Sequence, residues 1–322
     1  MDELLVGTLV ASTLRVSVPL ILCALAGVLC ERSGVVDLGL EGKMLLTAYT
    51  TAAVGVSTGS LALALLAAIA VGVALSMIHG YACVSHEGDQ VVLGMAITMT
   101  AAGLTVVLGI AQFAQGGQTP PLPDAVRLQP HGAAAGALVA RIPYVGQALN
   151  LAFFGHNVMV YGSFVAVAAV WWLLYRTRFG LRLRAVGENP IMVDAAGVSV
   201  RALRYQALAL NGVLAALAGA YLVLAQNPSF IPNMTAGRGY MALAALIFGK
   251  WRPWPALFAC LLFGFLDAVS IRMQGVAWPV IGVVPVQFIQ ALPYLLTVVL
   301  LAGFIGRAVA PAALGRPYVK QR

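Results

Sequence analysis

The chain has 322 residues, of which 61% are hydrophobic and only 9% are charged. Soluble domains carry roughly 25% charged residues, so a soluble globular class is excluded. The net charge of +8 sits in Lys and Arg of the connecting stretches, without interleaved aromatics, which excludes a nucleic-acid reader and fits the positive-inside bias of a membrane protein.

Long charge-free gaps mark the elements. There is no Asp, Glu, Lys or Arg between Lys43 and Glu87, Asp89 and Asp124, Arg141 and Arg176, Arg204 and Arg238, or Arg272 and Arg307. Such gaps hold the ~20 residues a membrane-crossing helix needs. The hydrophobic pattern predicts nine segments, at 8–30, 37–56, 61–81, 91–113, 157–175, 203–225, 239–249, 254–271 and 286–305. The fold class is all-α: a polytopic helical membrane protein with about nine membrane segments, some short or broken. It forms a single transmembrane domain over 1–322, with a first half at 1–175, a loop at 176–202 and a second half at 203–322.

Two segments are irregular. The run 37–56 opens on Asp37, Glu41 and Lys43, which are costly in lipid. The run 239–249 has about eleven residues, roughly 16 Å as a helix, too short to span. Both predict broken or re-entrant backbone beside protein or water. The stretch 114–156, rich in Gly, Pro and Ala, predicts a lid or an irregular linker.

The loop 176–202 is the most basic stretch, with six arginines from Arg176 to Arg204. It contains a short helix signal: Asn189 as N-cap, Pro190 at the first position and Gly197 as the stop. Placing this loop in the cytoplasm and alternating outward puts the N-terminus outside and the C-terminus inside. The four cysteines lack CxxC spacing and read as small hydrophobes. The N-terminus begins with Asp2 and Glu3 and lacks the basic region of a cleaved signal peptide.

The irregular segments echo each other. ALAGVLCERSGVVDLGLEGKM (24–44) and ALAGAYLVLAQNPSFIPNMTAGRGYM (216–241) both start with ALAG, pass a polar break and end in G-[KY]-M. The segment count gives them opposite orientations, and an inverted repeat with interrupted helices is a transport architecture. GxxxG at Gly55 and Gly59 and AxxxG at Ala215 and Gly219 predict close packing.

ERSGVVDLGLEGKMLLTAY, RAVGENPIMVDAAGV, IFGKWRPW and LAGFIGRAVAPAALGRP resemble the permease subunit of bacterial ABC importers. The group they resemble handles simple sugars and nucleosides and is related to ribose and branched-chain amino-acid permeases. The resemblance covers nearly the whole chain and is similar to the shorter of two permeases in nucleoside systems. It implies a pore subunit rather than an enzyme, in the inner (cytoplasmic) membrane. It implies a second, longer permease, a cytoplasmic ATPase that carries ATP and Mg, and an extracellular or periplasmic binding protein. This chain has no GxxxxGK[ST] loop, and no cofactor or metal is expected on it. The resemblance makes the 190–197 helix the coupling element, with Arg184, Gly187, Glu188, Asn189, Pro190, Asp194, Ala195, Ala196 and Gly197 facing the ATPase.

Polar groups within apolar runs are the pathway candidates. They are Asp37, Glu41, Lys43, Asn211, Asn233, Tyr240, Gln287 and Gln290, with Glu31, Asn227 and Arg238 beside them. Lys43 can instead neutralise Asp37 or Glu41 structurally. Neutral amides suit an uncharged, hydroxyl-rich solute, because each both donates and accepts. The alternative function is an ion-coupled secondary transporter, which works alone and has no need of the capped helix. An intramembrane enzyme is disfavoured: HExxH and GxSxG are missing, and His79, His86, His131 and His156 show no ligand spacing.

Overall fold

The computed structural model describes residues 2–131, 136, 139–140, 146–274 and 308–319, with 277–278, 282–283, 288, 291, 295 and 299 between them. The described elements are helices: α1 Asp2–Glu31, α2 Leu40–Thr58, α3 Leu61–Gly80, α4 Gln90–Phe113, α5 Gly146–Phe153, α6 Val158–Arg176, α7 Arg178–Glu188, α8 Pro190–Ala195, α9 Val200–Tyr221, α10 Arg238–Phe248 and α11 Pro253–Met273. The one exception is a two-residue ladder pairing Ala277–Trp278 with Gly282–Val283. Both α3 and α9 are prolonged by a π-helical turn, Tyr81–Ser85 and Leu222–Gln226.

Among the described residues six helices are long and apolar enough to cross a membrane. Eight of the nine predicted segments coincide with helices; the ninth, 286–305, lies outside the described residues apart from 288, 291, 295 and 299. The hydrophobic windows of α1 and α9 are 83% and 72% buried, against 22–28% for α3, α4 and α6. Thus α1 and α9 form the central axis, and the other three present apolar faces outward.

The axial helices run in opposite directions. α1 ends where Arg32 donates to the carbonyls of Trp251 (2.8 Å) and Lys250 (3.4 Å). α9 starts at that same end, where Arg204 donates to the Ser33 and Arg316 carbonyls. This end gathers the arginine-rich stretch, and we call it the basic face. At the opposite face Arg272 donates to Thr8, and Gln226 donates to the Arg15 carbonyl.

The ALAG echo has a packing meaning. A methyl at Gly27 in α1 would come within 2.5 Å of Leu246 in α10, and one at Gly219 in α9 would come within 2.3 Å of the Met44 carbonyl in α2. Each axial helix therefore seats its small residue against the helix that follows the break in the other half, so neither half completes its packing alone. α3 and α9 cross just as closely, with Gly72 and Gly212 each leaving room for the other's backbone. Gly55 makes room for Leu122 and Val126. Gly59, by contrast, is not a packing site. It caps α2 at φ 64 with nothing within 4 Å of its missing Cβ, because a left-handed C-cap is the conformation glycine adopts without strain.

Two irregular straps close the halves. On the opposite face the chain after α4 runs antiparallel to the end of the α9 arm, with Thr119, Leu122 and Leu128 N–H groups donating to the Phe230, Pro228 and Leu224 carbonyls. On the basic face Ala313 and Gly315 N–H groups donate to the Gly187 and Gly34 carbonyls. The 114–131 part of the predicted linker is therefore a fixed strap, and α5 beyond it packs on α1 at Gly7.

The packing at Gly219 yields a first prediction. Gly219→Val should lower thermal stability in detergent by about 1–3 kcal/mol, as overpacking does. Gly103→Ala, whose new methyl meets nothing within 4 Å, should leave the melting temperature unchanged or slightly raised.

Candidate functional site

The centre of the protein is where the two interrupted arms meet. After α1 the chain turns back from the basic face over residues 32–39, and α2 starts in the interior. Its Lys43 reaches Asn211, which lies roughly 16 Å along α9 at 1.5 Å per residue. After α9 the chain turns back from the opposite face over 227–237, through left-handed Asn233 (φ 56), Ala236 (φ 49) and Gly237 (φ 81). α10 then runs roughly 16 Å towards the basic face. Two helix N-termini thus confront each other in the interior, each with a positive dipole end and unpaired N–H groups. Glu41 resolves the conflict. It stands in the first turn of α2, and its Oε1 and Oε2 accept from the Gly237 and Gly239 N–H groups of α10 at 2.8 and 2.6 Å. One carboxylate serves both helix ends.

Behind this junction lies a buried charge cluster. Lys43 Nζ donates to Asp37 Oδ2 at 2.6 Å and to Asn211 Oδ1 at 3.0 Å. Ser76 donates to the same Asn211 oxygen, and Asn211 Nδ2 donates to the Ala26 carbonyl. Asp37 Oδ1 accepts from the Gly39 N–H, with His79 Nδ1 3.5 Å away. Lys43, Asp37, His79, Ser76 and Asn211 are all fully buried. The cluster joins the first arm to α1, α3 and α9.

The structure therefore brings together Asp37, Lys43 and Asn211 as a closed, mutually satisfied group, and Glu41 is satisfied by the Gly237 and Gly239 N–H groups. It leaves Asn233 and Tyr240 exposed on the second arm, where Tyr240 reaches the Met95 sulfur on α4 at 3.8 Å. Gln287 and Gln290 lie outside the described residues. Glu31 is taken by a hydrogen bond from the Trp251 indole. Arg238 lies apart, in a crevice on the opposite face with Arg15 and Arg272. Sequence reasoning missed His79, Ser76 and Trp251; their only signal was a polar or indole group next to an apolar run. Among the described residues no group of three His, Cys, Asp or Glu comes together that could hold a metal.

The basic face carries the second feature. The loop 176–202 holds the predicted short helix, α8, and a second helix before it, α7, each with its own N-cap. Thr177 caps α7 through the Gly180 N–H. Asn189 caps α8 through the Met192 N–H, Pro190 holds its first position, and Gly197 (φ 78) ends it. Ile191, Met192, Ala195 and Ala196 of α8 are exposed, as are Glu188 and Asn189, while Asp194 is partly buried. Gly187 is buried against Arg32, where a methyl would lie 2.2 Å from the carbonyl oxygen. Arg184, partly buried on α7, stacks over Tyr175 at 4.7 Å rather than lying on α8's exposed face.

Residues 9–306 match the family model described as the branched-chain amino acid transport system/permease component. The chain belongs to that permease family. It is 39% identical to the guanosine ABC transporter permease protein NupQ of Bacillus subtilis, over 98% of both chains. It is 35% identical to the nucleoside ABC transporter permease protein NupC of Lactococcus lactis, over 98% of this chain and 97% of that one. A permease of Haloferax volcanii provisionally named for glucose transport, TsgC13, is 34% identical over 97% and 98%. In fold the permease is similar to an inward-facing metal-chelate-type ABC transporter, with a TM-score of 0.50 at 15% identity, covering 92% of this chain and 85% of that one. The permease is thus a multi-pass membrane subunit of an ABC transporter, a system that also includes an ATPase and a substrate-binding protein. The secondary-transporter alternative falls away.

The buried pair gives a second prediction. Asp37→Asn or Lys43→Met alone leaves an uncompensated buried charge and should cost about 3–5 kcal/mol. The double variant should recover a large part of that loss, measured by thermal unfolding of each variant in the same detergent.

Proposed function

We propose that the permease forms half of the pathway of an importer for an uncharged, hydroxyl-rich solute, a nucleoside first and a simple sugar second. The observation that carries this is full-length identity of 39% and 35% to permeases named for guanosine and nucleosides. The site chemistry agrees. Beside the second arm, Asp37 and Lys43 neutralise each other and Glu41 is taken by the Gly237 and Gly239 N–H groups, so none of these charges is free for an ionic solute, whereas Asn233 and Tyr240 offer an amide and a phenol on the exposed second arm. A broken, polar arm exposed at depth requires protein or water beside it. We assign that covering surface to a second, longer permease, with the pathway between the two.

The basic face is assigned to the cytoplasm and the opposite face to the outside, in a cytoplasmic membrane, with the N-terminus outside. The density of Arg on one end supports this orientation. We assign α8 as the ATPase-docking helix, because its exposed Ile191 and Met192 have no partner surface among the described residues and the end of α7 just before it, at Gly187, is wedged against Arg32 of the first arm. ATP and Mg belong to the ATPase. A push on α8 would pass through Gly187 to Arg32 and the 33–39 turn, and from Asp37 and Lys43 into α2 and α9.

The test is uptake by the reconstituted transporter. ATP-dependent accumulation of labelled guanosine, competed by other nucleosides but not by nucleotides, is the expected result; accumulation without ATP, or of an anionic solute only, would reject the reading. Met192→Glu should leave the permease folded but reduce solute-stimulated ATP hydrolysis and uptake together by tenfold or more. Asn233→Ala and Tyr240→Ala should raise the KM for uptake with little change in melting temperature, since neither side chain is buried.

A further inference from the structure

Arg204 is the largest of the fully buried side chains, with 1% exposure, yet among the described residues no carboxylate lies within 4 Å of it. Among the described residues its Nε and Nη1 donate to the Ser33 and Arg316 carbonyls, both at 3.3 Å, and its Nη2 has no partner. A buried guanidinium without a counter-charge is costly, and removing one from water is compensated only by a paired anion. The same guanidinium lines a cavity of about 400 Å³ on the basic face, within the ~300–1,000 Å³ range of small-molecule sites.

The rest of the wall is suited to an anion. The N-terminus of α9, a 22-residue helix, opens into the cavity at Ser199 and Val200. Ser199 Oγ accepts from Ala202 N–H, and the first N–H groups of any helix have no intrahelical acceptor. Arg201 lines the wall one turn before Arg204 and is exposed. The acid in the wall, Asp194, takes a hydrogen bond from Tyr318 of the C-terminal strap. We propose that this cavity binds a phosphate group, as the counter-ion of Arg204, between the N-terminus of α9 and the guanidinium of Arg201. The phosphate belongs either to a soluble phosphorylated metabolite or to an anionic lipid headgroup. Because the cavity is walled by Asp194 of α8 and Tyr318 of the strap, an occupied site would hold α8 and the strap together and lower the rate of transport. This assignment is independent of which solute is carried.

The experiment uses the assembled transporter and compares wild type with Arg201→Gln, so that nucleotide sites on the ATPase contribute equally to both. Inorganic phosphate and guanosine 5′-monophosphate are titrated, with guanosine as the phosphate-free control, and binding is read by calorimetry and by melting temperature. A parallel arm uses nanodiscs of phosphatidylglycerol or phosphatidylcholine. The expected result is saturable phosphate-dependent stabilisation, absent with guanosine, weakened tenfold or more by Arg201→Gln and also by Ser199→Pro. Stabilisation by phosphatidylglycerol alone, with the same dependence on Arg201, identifies the lipid headgroup as the source. Equal binding by wild type and Arg201→Gln, or no binding of any phosphate probe, overturns the proposal. So does loss of the ATPase from Arg201→Gln without phosphate binding, since the counter-ion would then be a carboxylate of that subunit. Arg204→Lys keeps the charge and should retain part of the affinity, whereas Arg204→Gln tests folding as well as binding.

Discussion

Two helix N-termini pointing at each other in the interior of a membrane protein are an electrostatic problem, and the rest of this structure depends on its solution. Each end presents a positive dipole and orphan N–H groups, and lipid supplies no acceptor for them. Glu41 supplies the acceptor. Because it belongs to α2 and caps α10, the solution also fixes the distance between the two arms. A carboxylate here is therefore a registration device. Neither arm can turn or slide along its axis without leaving a donor unpaired, and each unpaired buried donor costs about 1–3 kcal/mol.

The same logic explains why the interior charges are clustered. Asp37 accepts the Gly39 N–H on the approach to α2, Lys43 neutralises Asp37, and Asn211 accepts from Lys43 while anchoring to Ala26. Asp37 and Lys43 of the broken first arm face His79 of α3 and Asn211 of α9, and Glu41 is matched by the N–H groups at the start of α10. The second arm carries no equivalent cluster. Its polar residues Asn233 and Tyr240 face outward instead, so the two halves share a backbone plan and divide the chemistry. One arm is locked by charge to the axial helices, and the other presents its polar groups to whatever lies alongside.

Much of this plan was legible in the sequence. Charge-free gaps located the helices, the charges in GLEGKM exposed the first break, and the shortness of the 239–249 run exposed the second. Asn189, Pro190 and Gly197 are local signals, and α8 follows them residue by residue. What could not be read were contacts between remote residues. Nothing near Glu41 indicates that its partners are Gly237 and Gly239, and the hydrophobic pattern of 178–188, short and basic, hid α7 inside a loop. Asn211 was legible as polar in an apolar run but not as saturated, since satisfaction depends on Ser76, Lys43 and Ala26 together. The straps have no periodic signal because they are held by backbone bonds, to which sequence is nearly indifferent.

The swapped seating of Gly27 on α10 and Gly219 on α2 sets how such a fold can move. If each half packed on itself, the halves could rock as separate bodies. Here each axial helix grips the helix that follows the break in the other half, so rotation of α9 must carry α2, and rotation of α1 must carry α10. Glu41 ties α2 to α10 across the centre. The four elements are thereby a single mechanical unit, and freedom is left to the outer helices and to the exposed surface of the second arm. An interior built this way favours opening by movement between subunits over opening within one, because tilting whole units breaks only the contacts between them, whereas opening the centre would strand Glu41, Lys43 and the N–H groups they satisfy.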